Sequence, residues 1–372
     1  MPDLADLILT NARVLTLESD QPLAEAVAIT GDSIIGVGSQ REVAAFQGPR
    51  SETLDCRGLT LLPGFVDSHC HLLAMAAALT GVDCSPVPEG SPAGANSANS
   101  IDGLIQAIRR RAQETPQGSW IRGFGYDESA LKEGRHPTRW DLDRAARDHP
   151  VRLDHRSGHA VVLNSRGLAQ AGIHADTVDP PEGVIDRDLL SGEITGLLLE
   201  MSGFLRQRLG NTRNEKELRE AVSRLNQTLL GHGITSVHDA GPNNGLDRWK
   251  ILRELTNSNA LGSRVSMMAG SSKLPEFQEA GLDWGSGDDR LRLGHVKLML
   301  TLTTGGLHPP LDELAAGVAL ARRAGFPVAI HAVEQEAVLA ATNAIGSNSP
   351  ASGSAGPRLA TVLKPQPDGA AL

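Results

Sequence analysis

The sequence predicts an α/β protein built from parallel strand–helix units and preceded by a smaller β-rich segment. From Gly64 onward, short apolar segments alternate with segments whose apolar residues recur at helical spacing. The clearest helix is followed by the apolar strand ITSVHD, and its apolar stripe contains Leu218, Val222, Leu225 and Leu229. Strands that alternate with helices imply parallel βα units. This periodicity alone does not distinguish a closed barrel from an open doubly wound sheet.

The first 60 residues have the pattern of β-structure. Two apolar segments in AEAVAITGDSIIGVGS are joined at Gly31 and Asp32, which form a favourable short hairpin turn. The segment LDCRGLTLLPG repeats this design around Arg57 and Gly58. So few strands are only marginally stable by themselves. We therefore expect this segment to need further strands to complete a domain.

Length, composition and charge are those of a soluble enzyme. The chain has 372 residues, of which 40% are hydrophobic and 21% are charged. Its net charge of −9 argues against a nucleic-acid partner, and no apolar stretch has the length of a membrane span. The N-terminus lacks the pattern of a signal peptide, and Cys56, Cys70 and Cys84 lack metal-type spacing. These observations predict a cytoplasmic protein with reduced thiols and with no membrane partner.

The segment Leu61–Leu72, LLPGFVDSHCHL, carries the strongest chemical signal. His69 and His71 follow an apolar run at a spacing of two residues. Side chains two apart on a strand project to the same face, so both imidazoles can bind one metal ion through neutral ring nitrogens. The alternative is a pair of unrelated histidines in a chain that contains 12. The apolar lead-in and the Pro63-Gly64 break favour metal binding.

Five segments together resemble one known family. They are, in chain order, PGFVDSHCHL, SGHAVVLNS, GITSVHDAG, VKLMLT and VAIHAVE. With these motifs the chain resembles the metal-dependent amidohydrolase superfamily and, within it, the third amidohydrolase family, the branch that includes N-substituted formamide deformylases. The resemblance extends over nearly the whole chain and then stops short of the family's usual end. The chain is therefore expected to be truncated at its C-terminus.

The resemblance and the histidine pair favour a (β/α)8 TIM-like barrel over an open sheet. About five of its eight strands can be counted in the sequence, so the barrel is expected to be incomplete. The resemblance implies that residues 1–60 form part of a small N-terminal β-sandwich. Residues 61–345 would form the barrel, with residues 81–213 inserted after the first barrel strand as a lid subdomain. Residues 346–372 are expected to be a divergent, disordered tail.

Two further residues complete the expected metal site. Lys297, in HVKLMLT, lies on an apolar strand, where a lysine is unfavourable unless its charge is removed or paired. In binuclear relatives the corresponding lysine becomes a carbamate that bridges two metals; the alternative is a lysine that reaches solvent or pairs with a carboxylate. The family position of His331, in VAIHAVE, binds the second metal, and the alternative is a buried structural histidine. The implied cofactors are divalent ions, with zinc favoured, and two ions if Lys297 is carbamylated.

Three other residues are expected either to lie near the substrate or to orient a metal ligand. His159, in SGHAVVLNS, matches a lid motif that faces the substrate, although a polar loop turn explains it equally well. His238, in SVHDAG, resembles a position that lines the site and is not expected to bind metal. Asp67 precedes His69 by two residues on the same strand, so it can orient a ligand without binding the metal itself.

The implied chemistry is hydrolysis of a carbon–nitrogen bond other than a peptide bond by a metal-activated hydroxide. The substrate would be a small amide, a formamide or a cyclic amide. In the family, a sixth-strand histidine and an eighth-strand aspartate, the general base, complete the site. Neither has a counterpart here, so the catalytic base is unknown and expected beyond the C-terminus.

The C-terminal segment suggests a shifted reading frame. Relatives continue after Gly-Pro-Arg with a segment close to Arg-His-Arg-Ile-Glu-His, whereas residues 359–364 here read LATVLK. Codons for these residues can spell Arg-His-Arg-Ile-Glu in another frame; a natural short variant is the alternative. We expect such a chain to have little hydrolase activity. The second hypothesis is a non-catalytic remnant that binds only metal or a partner.

Overall fold

The computed structural model describes residues 4–87, 98–181, 183–209, 215–302 and 306–346, together with the backbone of residues 360–362. The chain divides into two compact units, Met1–Phe65 and Val66–Leu372. The boundary lies close to the one predicted after residue 60. Among the described residues, no helix is both long enough and apolar enough to cross a membrane.

The first unit consists of short strands in two small sheets. Its described elements, in chain order, are β1 (Ala5–Thr10), β2 (Arg13–Leu15), β3 (Leu23–Ala24), β4 (Ala26–Thr30), β5 (Ser33–Gly38), α1 (Gln40–Val43), a 3₁₀ turn (Ala44–Phe46), β6 (Gln47–Asp55) and β7 (Thr60–Leu61). One sheet has the order β5-β4-β1-β6 and the other β3-β2-β7. The hairpin predicted at Gly31 and Asp32 is present: β4 and β5 pair antiparallel, and Gly31 in their turn has a φ of +59°. The second one, predicted around Arg57 and Gly58, does not form, because β6 pairs with β1 in one sheet and β7 with β2 in the other.

The second unit begins with β8 (Phe65–Cys70) and α2 (Leu72–Ala78), and a segment with its own sheet follows. This segment contains β9 (Val82–Asp83), α3 (Ile101–Glu114), β10 (Ile121–Tyr126), a 3₁₀ turn (Glu128–Ala130), α4 (Arg139–Ala146), β11 (Val151–His155), β12 (Ala160–Leu163), α5 (Ser165–Gln170), β13 (Val184–Arg187), β14 (Ile194–Leu199) and α6 (Ser202–Leu209). The strand order is β13-β14-β12-β11-β10-β9. Strands β9, β10 and β11 are parallel, and the other pairs are antiparallel. The assignment of residues 81–213 as a lid stays a prediction.

The rest of the second unit alternates helices with strands. Its described elements are α7 (Glu215–Gly231), β15 (Ile234–Asp239), α8 (Leu246–Asn257), β16 (Arg264–Gly270), a 3₁₀ turn (Ser271–Lys273), α9 (Leu274–Glu279), β17 (Leu291–Met299), α10 (Leu311–Arg323), β18 (Val328–His331), α11 (Gln335–Gly346) and β19 (Ala360–Val362). Together with β8 these strands form one sheet in the order β19-β18-β17-β16-β15-β8. The strands lie in the sheet in the same order as in the sequence, whereas in a doubly wound sheet the strand order reverses direction at one point. The fold is therefore an incomplete TIM-like barrel.

The barrel sheet has one strand more than the five counted in the sequence. The five predicted strands are β8, β15, β16, β17 and β18, and β19 pairs in parallel with β18, with Ala360 opposite Ala329. This sixth strand lies in the segment that was predicted to be a tail. Residues 347–359 and 363–372, where the remaining tail was expected to be disordered, lie outside the described residues.

The predicted helical stripe of α7 packs into the main core. Val222, Leu225 and Leu229 are each 2% exposed, and Leu218 packs against the same cluster. This cluster also contains residues of α8, α10 and α11 and one face of the barrel strands. The helices therefore cover the outer face of the sheet, which leaves the inner face for the polar residues described below.

Asn164, between β12 and α5, fixes the part of the inserted sheet that carries His159. It is completely buried. Its Oδ1 accepts hydrogen bonds from the backbone N–H groups of Val151 at 2.9 Å and Gly167 at 2.8 Å, and its Nδ2 donates to the carbonyl oxygen of His149 at 2.9 Å. The side chain thus caps α5 and ties it to β11.

We expect Asn164→Ala to lower the free energy of unfolding by about 3 kcal/mol, because it removes a helix cap and leaves buried backbone groups without partners. Urea denaturation followed by circular dichroism measures this change. The control is Gln170→Ala on the exposed face of the same helix, for which we expect a change within about 0.5 kcal/mol. Equal effects of the two substitutions would contradict this role of Asn164.

Candidate active site

The first strand of the barrel places two histidines side by side at its end. His69 lies in β8 and His71 immediately follows it, with their ring centroids 5.3 Å apart and their planes at 85°. Asp67 Oδ1 accepts a hydrogen bond from the backbone N–H of His69 at 3.0 Å. Asp67 therefore contacts the main chain of the predicted ligand, and its orienting role stays a prediction.

Lys297 and His331 lie on the inner face of the barrel sheet. Strands β17 and β18 pair in parallel with Lys297 opposite Ala329, and His331 follows Ala329 by two residues on the same face. The neighbours of Lys297 in β17, Val296 and Leu298, pack into the core on the helix side. Side chains alternate along a strand, so Lys297 and His331 both project away from the helices. We call His69, His71, Lys297 and His331 the histidine centre.

The electrostatics of the histidine centre favour neutral side chains. Lys297 is 2% exposed, and burial lowers its pKa to about 8. Burial, followed by the nearby Lys297 charge, lowers the pKa of His331 to about 3. His71 keeps an exposed edge, yet burial of the remainder and the neighbouring His69 lower its pKa to about 4. At neutral pH both imidazoles are therefore uncharged and can donate a lone pair.

The inserted segment supplies His159 to the same place. Its ring centroid lies 5.3 Å from that of His331, with the planes tilted by 43°. The charge of protonated His159 also contributes to the lowered pKa values of His71 and His331. On its other side, His159 Nδ1 is 2.7 Å from Glu200 Oε1. Sequence reasoning missed Glu200, because no motif marks a single glutamate after a strand.

His238 lies in β15, one residue before its end. Of the charged neighbours that shift the pKa values of His71 and His331, none is His238. His238 instead neighbours His295, whose pKa is lowered by burial and then by His238. His295 precedes Lys297 by two residues on β17. A contact of His238 with substrate therefore stays a prediction.

Asp239 is a buried carboxylate that the sequence analysis did not assign. It ends β15 and is 1% exposed. Its Oδ1 accepts from the backbone N–H of Leu72 at 3.2 Å, and its Oδ2 accepts from Nδ2 of Asn244 at 3.2 Å. Burial raises its pKa, while Arg248 opposes this shift. Since Leu72 directly follows His71, Asp239 holds the chain at one predicted ligand.

A second group of metal-type ligands lies in the inserted sheet. One ligand atom from each of Asp127, Glu128 and His155 lies within 4.8 Å of the other two. His155 Nε2 is 2.7 Å from Glu128 Oε2, and Arg156 forms an ion pair with Asp127 at 2.5 Å. These residues end the parallel strands β10 and β11, a signal that the sequence analysis did not use. Because Arg156 already pairs with Asp127, the histidine centre is the better candidate for a metal.

The donor set of the histidine centre fits a divalent metal. Neutral imidazole nitrogens are ligands for zinc and for other transition metals. Four side chains that can carry positive charge are gathered around one place, and the charges of His69 and Lys297 help to lower the pKa values of both His71 and His331. A lysine in such surroundings is favoured in its uncharged form or as a modified anion. The assignment of these four residues as metal ligands stays a prediction.

The chain is similar to two curated proteins over about two thirds of its length. It is 37% identical over 244 residues to the N-substituted formamide deformylase of Arthrobacter pascens, covering 64% of this chain and 43% of that protein. It is 31% identical over 237 residues to the Protein LONG AFTER FAR-RED 3 of Arabidopsis thaliana, covering 64% of this chain and 38% of that protein. The chain thus spans less than half the length of these relatives.

Solved structures and a family model agree with this similarity. An uncharacterized metal-dependent hydrolase from Pyrococcus horikoshii OT3 superposes with a TM-score of 0.67 at 24% identity, over 92% of this chain and 68% of that one. Another, from Pyrococcus furiosus, superposes with a TM-score of 0.65 at 26% identity, over 92% of this chain and 70% of that one. The model of the amidohydrolase family matches residues 52–364. With most of its length matched by that model, this chain belongs to the amidohydrolase family.

Proposed function

We propose that this chain is a metal-dependent hydrolase that acts on carbon–nitrogen bonds other than peptide bonds. The observation that carries the proposal is the placement of a buried lysine and of histidines from separate strands at one face of the barrel sheet. The similarity to a formamide deformylase makes formamides the first substrates to test, followed by other amides and cyclic amides.

In this proposal His69 and His71 hold a divalent ion, for which zinc is favoured, and His331 holds the second ion. When bound, the ion polarises a carbonyl oxygen and lowers the pKa of water. Lys297 is proposed to react as its free amine with carbon dioxide and to release a proton, which would replace a buried cation by an anionic carbamate able to bind a second ion. Its near-complete burial on the inner face supports this modification.

The other residues are proposed to orient the reactants. His159 contacts the substrate from the inserted segment, since its ring lies beside that of His331. Asp67 orients His69 through its backbone, and His238 is proposed to line the substrate site, as the family position that it resembles does. No residue is assigned as general base. The cytoplasmic location stays a prediction.

Elemental analysis tests metal binding. Protein from zinc-supplemented growth is expected to contain at least one zinc per chain, and the double substitution His69→Ala with His71→Ala is expected to lose it, because two neighbouring ligands are removed. The matched control replaces two exposed histidines, His174→Ala with His232→Ala, and should keep its zinc. A metal-free wild-type protein, or equal zinc in both double variants, would contradict the site.

Metal stoichiometry tests the modification of Lys297. Lys297→Ala is expected to lose the second equivalent of metal, and a short carboxylic acid added with bicarbonate should restore part of it by replacing the missing anion. In wild-type protein grown with ¹³C-bicarbonate, a carbamate carbon signal is expected by NMR spectroscopy. Lys250→Ala, at an exposed position, is the control. Two tightly bound ions in Lys297→Ala without any added acid would rule the carbamate out.

Hydrolysis itself is tested with a panel of formamides, cyclic amides and N-acyl compounds in the presence of zinc or manganese. We expect release of amine by the wild-type chain and a loss of at least about 100-fold in His331→Ala, because a ligand of the activating ion is removed. Equal rates in wild type and variant would refute catalysis at this site. Metal binding without any turnover would instead support the non-catalytic alternative.

A further inference from the structure

Glu200 makes two bonds to the same residue, His159. Its carboxylate Oε1 is 2.7 Å from His159 Nδ1, and its backbone N–H donates to the carbonyl oxygen of His159 at 2.8 Å. The two residues flank paired antiparallel strands, since β12 begins at Ala160 and β14 ends at Leu199 opposite it. The pairing of these two strands therefore brings the Glu200 carboxylate close to the His159 imidazole.

The backbone of Glu200 lies in a region that few residues other than glycine adopt. Its φ is +56°, in the left-handed region. Such a conformation persists only where the surrounding structure enforces it, and it occurs often at functional sites. At Glu200 it directs the side chain back toward His159 at the point where the strand ends. Together with the two hydrogen bonds, this backbone conformation points to a role for the carboxylate beyond strand pairing.

The contact fixes which nitrogen of His159 carries hydrogen. An ionised carboxylate can only accept hydrogen bonds, so Nδ1 must be the donor to Glu200. In a neutral imidazole the other nitrogen, Nε2, then has the free lone pair and is an acceptor. His159 also lies beside His331 of the histidine centre. Nε2 is thus the ring nitrogen that remains for a molecule bound there.

We propose that Glu200 is a positioning residue that holds His159 as the Nδ1–H tautomer, so that Nε2 accepts a hydrogen bond from the N–H of the substrate amide. The substrate class is then narrower than amides in general. It consists of amides and formamides whose nitrogen in the scissile bond carries a hydrogen. It excludes amides whose nitrogen carries two carbon substituents besides the carbonyl group. This inference rests on the proposed function for its choice of ligand, but its structural part can be tested without turnover.

The tautomer is measured by ¹⁵N NMR spectroscopy of the full chain labelled at histidine, with His159→Gln used to assign the signals. In the wild type, Nδ1 of His159 should be protonated and Nε2 should not. Glu200→Gly suits the left-handed backbone, so its melting temperature should stay equal or rise, yet it should shift His159 toward the Nε2–H form. Glu200→Gln keeps an oxygen acceptor and should retain most of the wild-type tautomer.

A structural role alone would change stability without changing the tautomer. An Nε2–H form in the wild type, or the same tautomer in wild type and Glu200→Gly, would therefore overturn the positioning role. The stability of Glu200→Gly separates this outcome from misfolding, because glycine relieves the backbone conformation rather than straining it.

Ligand binding tests the substrate class. The probes are N-butylformamide and N-butyl-N-methylformamide, titrated into zinc-loaded chain while the His159 signals are followed. We expect the wild type to bind N-butylformamide at least 10-fold more tightly than N-butyl-N-methylformamide. The ratio of the two dissociation constants should approach one in Glu200→Gly and should lie between these limits in Glu200→Gln. A wild-type ratio near one, or no binding of the N–H compound, would overturn the substrate class. Absence of hydrolysis with the expected ratio intact would reject only the proposed function.

Discussion

The burial of Lys297 is the constraint on which the rest of the site depends. A lysine that is 2% exposed on the inner face of a sheet has lost most of its hydration. Its pKa falls to about 8 through burial alone. The lowered pKa values of His71 and His331 keep these two neighbours uncharged at neutral pH, which avoids further repulsion with Lys297. Loss of one proton from Lys297 would turn it from a buried cation into a lone-pair donor.

The histidine centre also shows how a barrel makes a site from separate strands. His69 and His71 come from the end of β8, whereas Lys297 and His331 come from β17 and β18. Parallel strands in sequential order end at one edge, where side chains from distant parts of the sequence meet. Asp239 then joins β15 to the segment after His71 through a buried hydrogen bond. The ligands are thus held by backbone contacts as well as by packing.

The inserted segment brings further polar residues to the histidine centre. His159 lies beside the ring of His331, and Glu200, directly after β14, contacts Nδ1 of His159. Asn164, directly after β12, links this strand to β11, α4 and α5 through four buried hydrogen bonds. The position of His159 therefore depends on the packing of the insertion, whereas the predicted metal ligands lie on the barrel strands.

The sequence by itself determined the parallel α/β architecture, the histidine pair and the order of the barrel strands, because side-chain periodicity and motif order are local properties of the chain. It also marked Lys297 and His331, each within an apolar strand. Only the tertiary structure decided which residues meet: it added β19 to the sheet, placed Glu200 beside His159 and Asp239 beside the segment after His71, and placed His238 near His295. These contacts depend on strand register and on a backbone conformation at Glu200 that no residue pattern encodes.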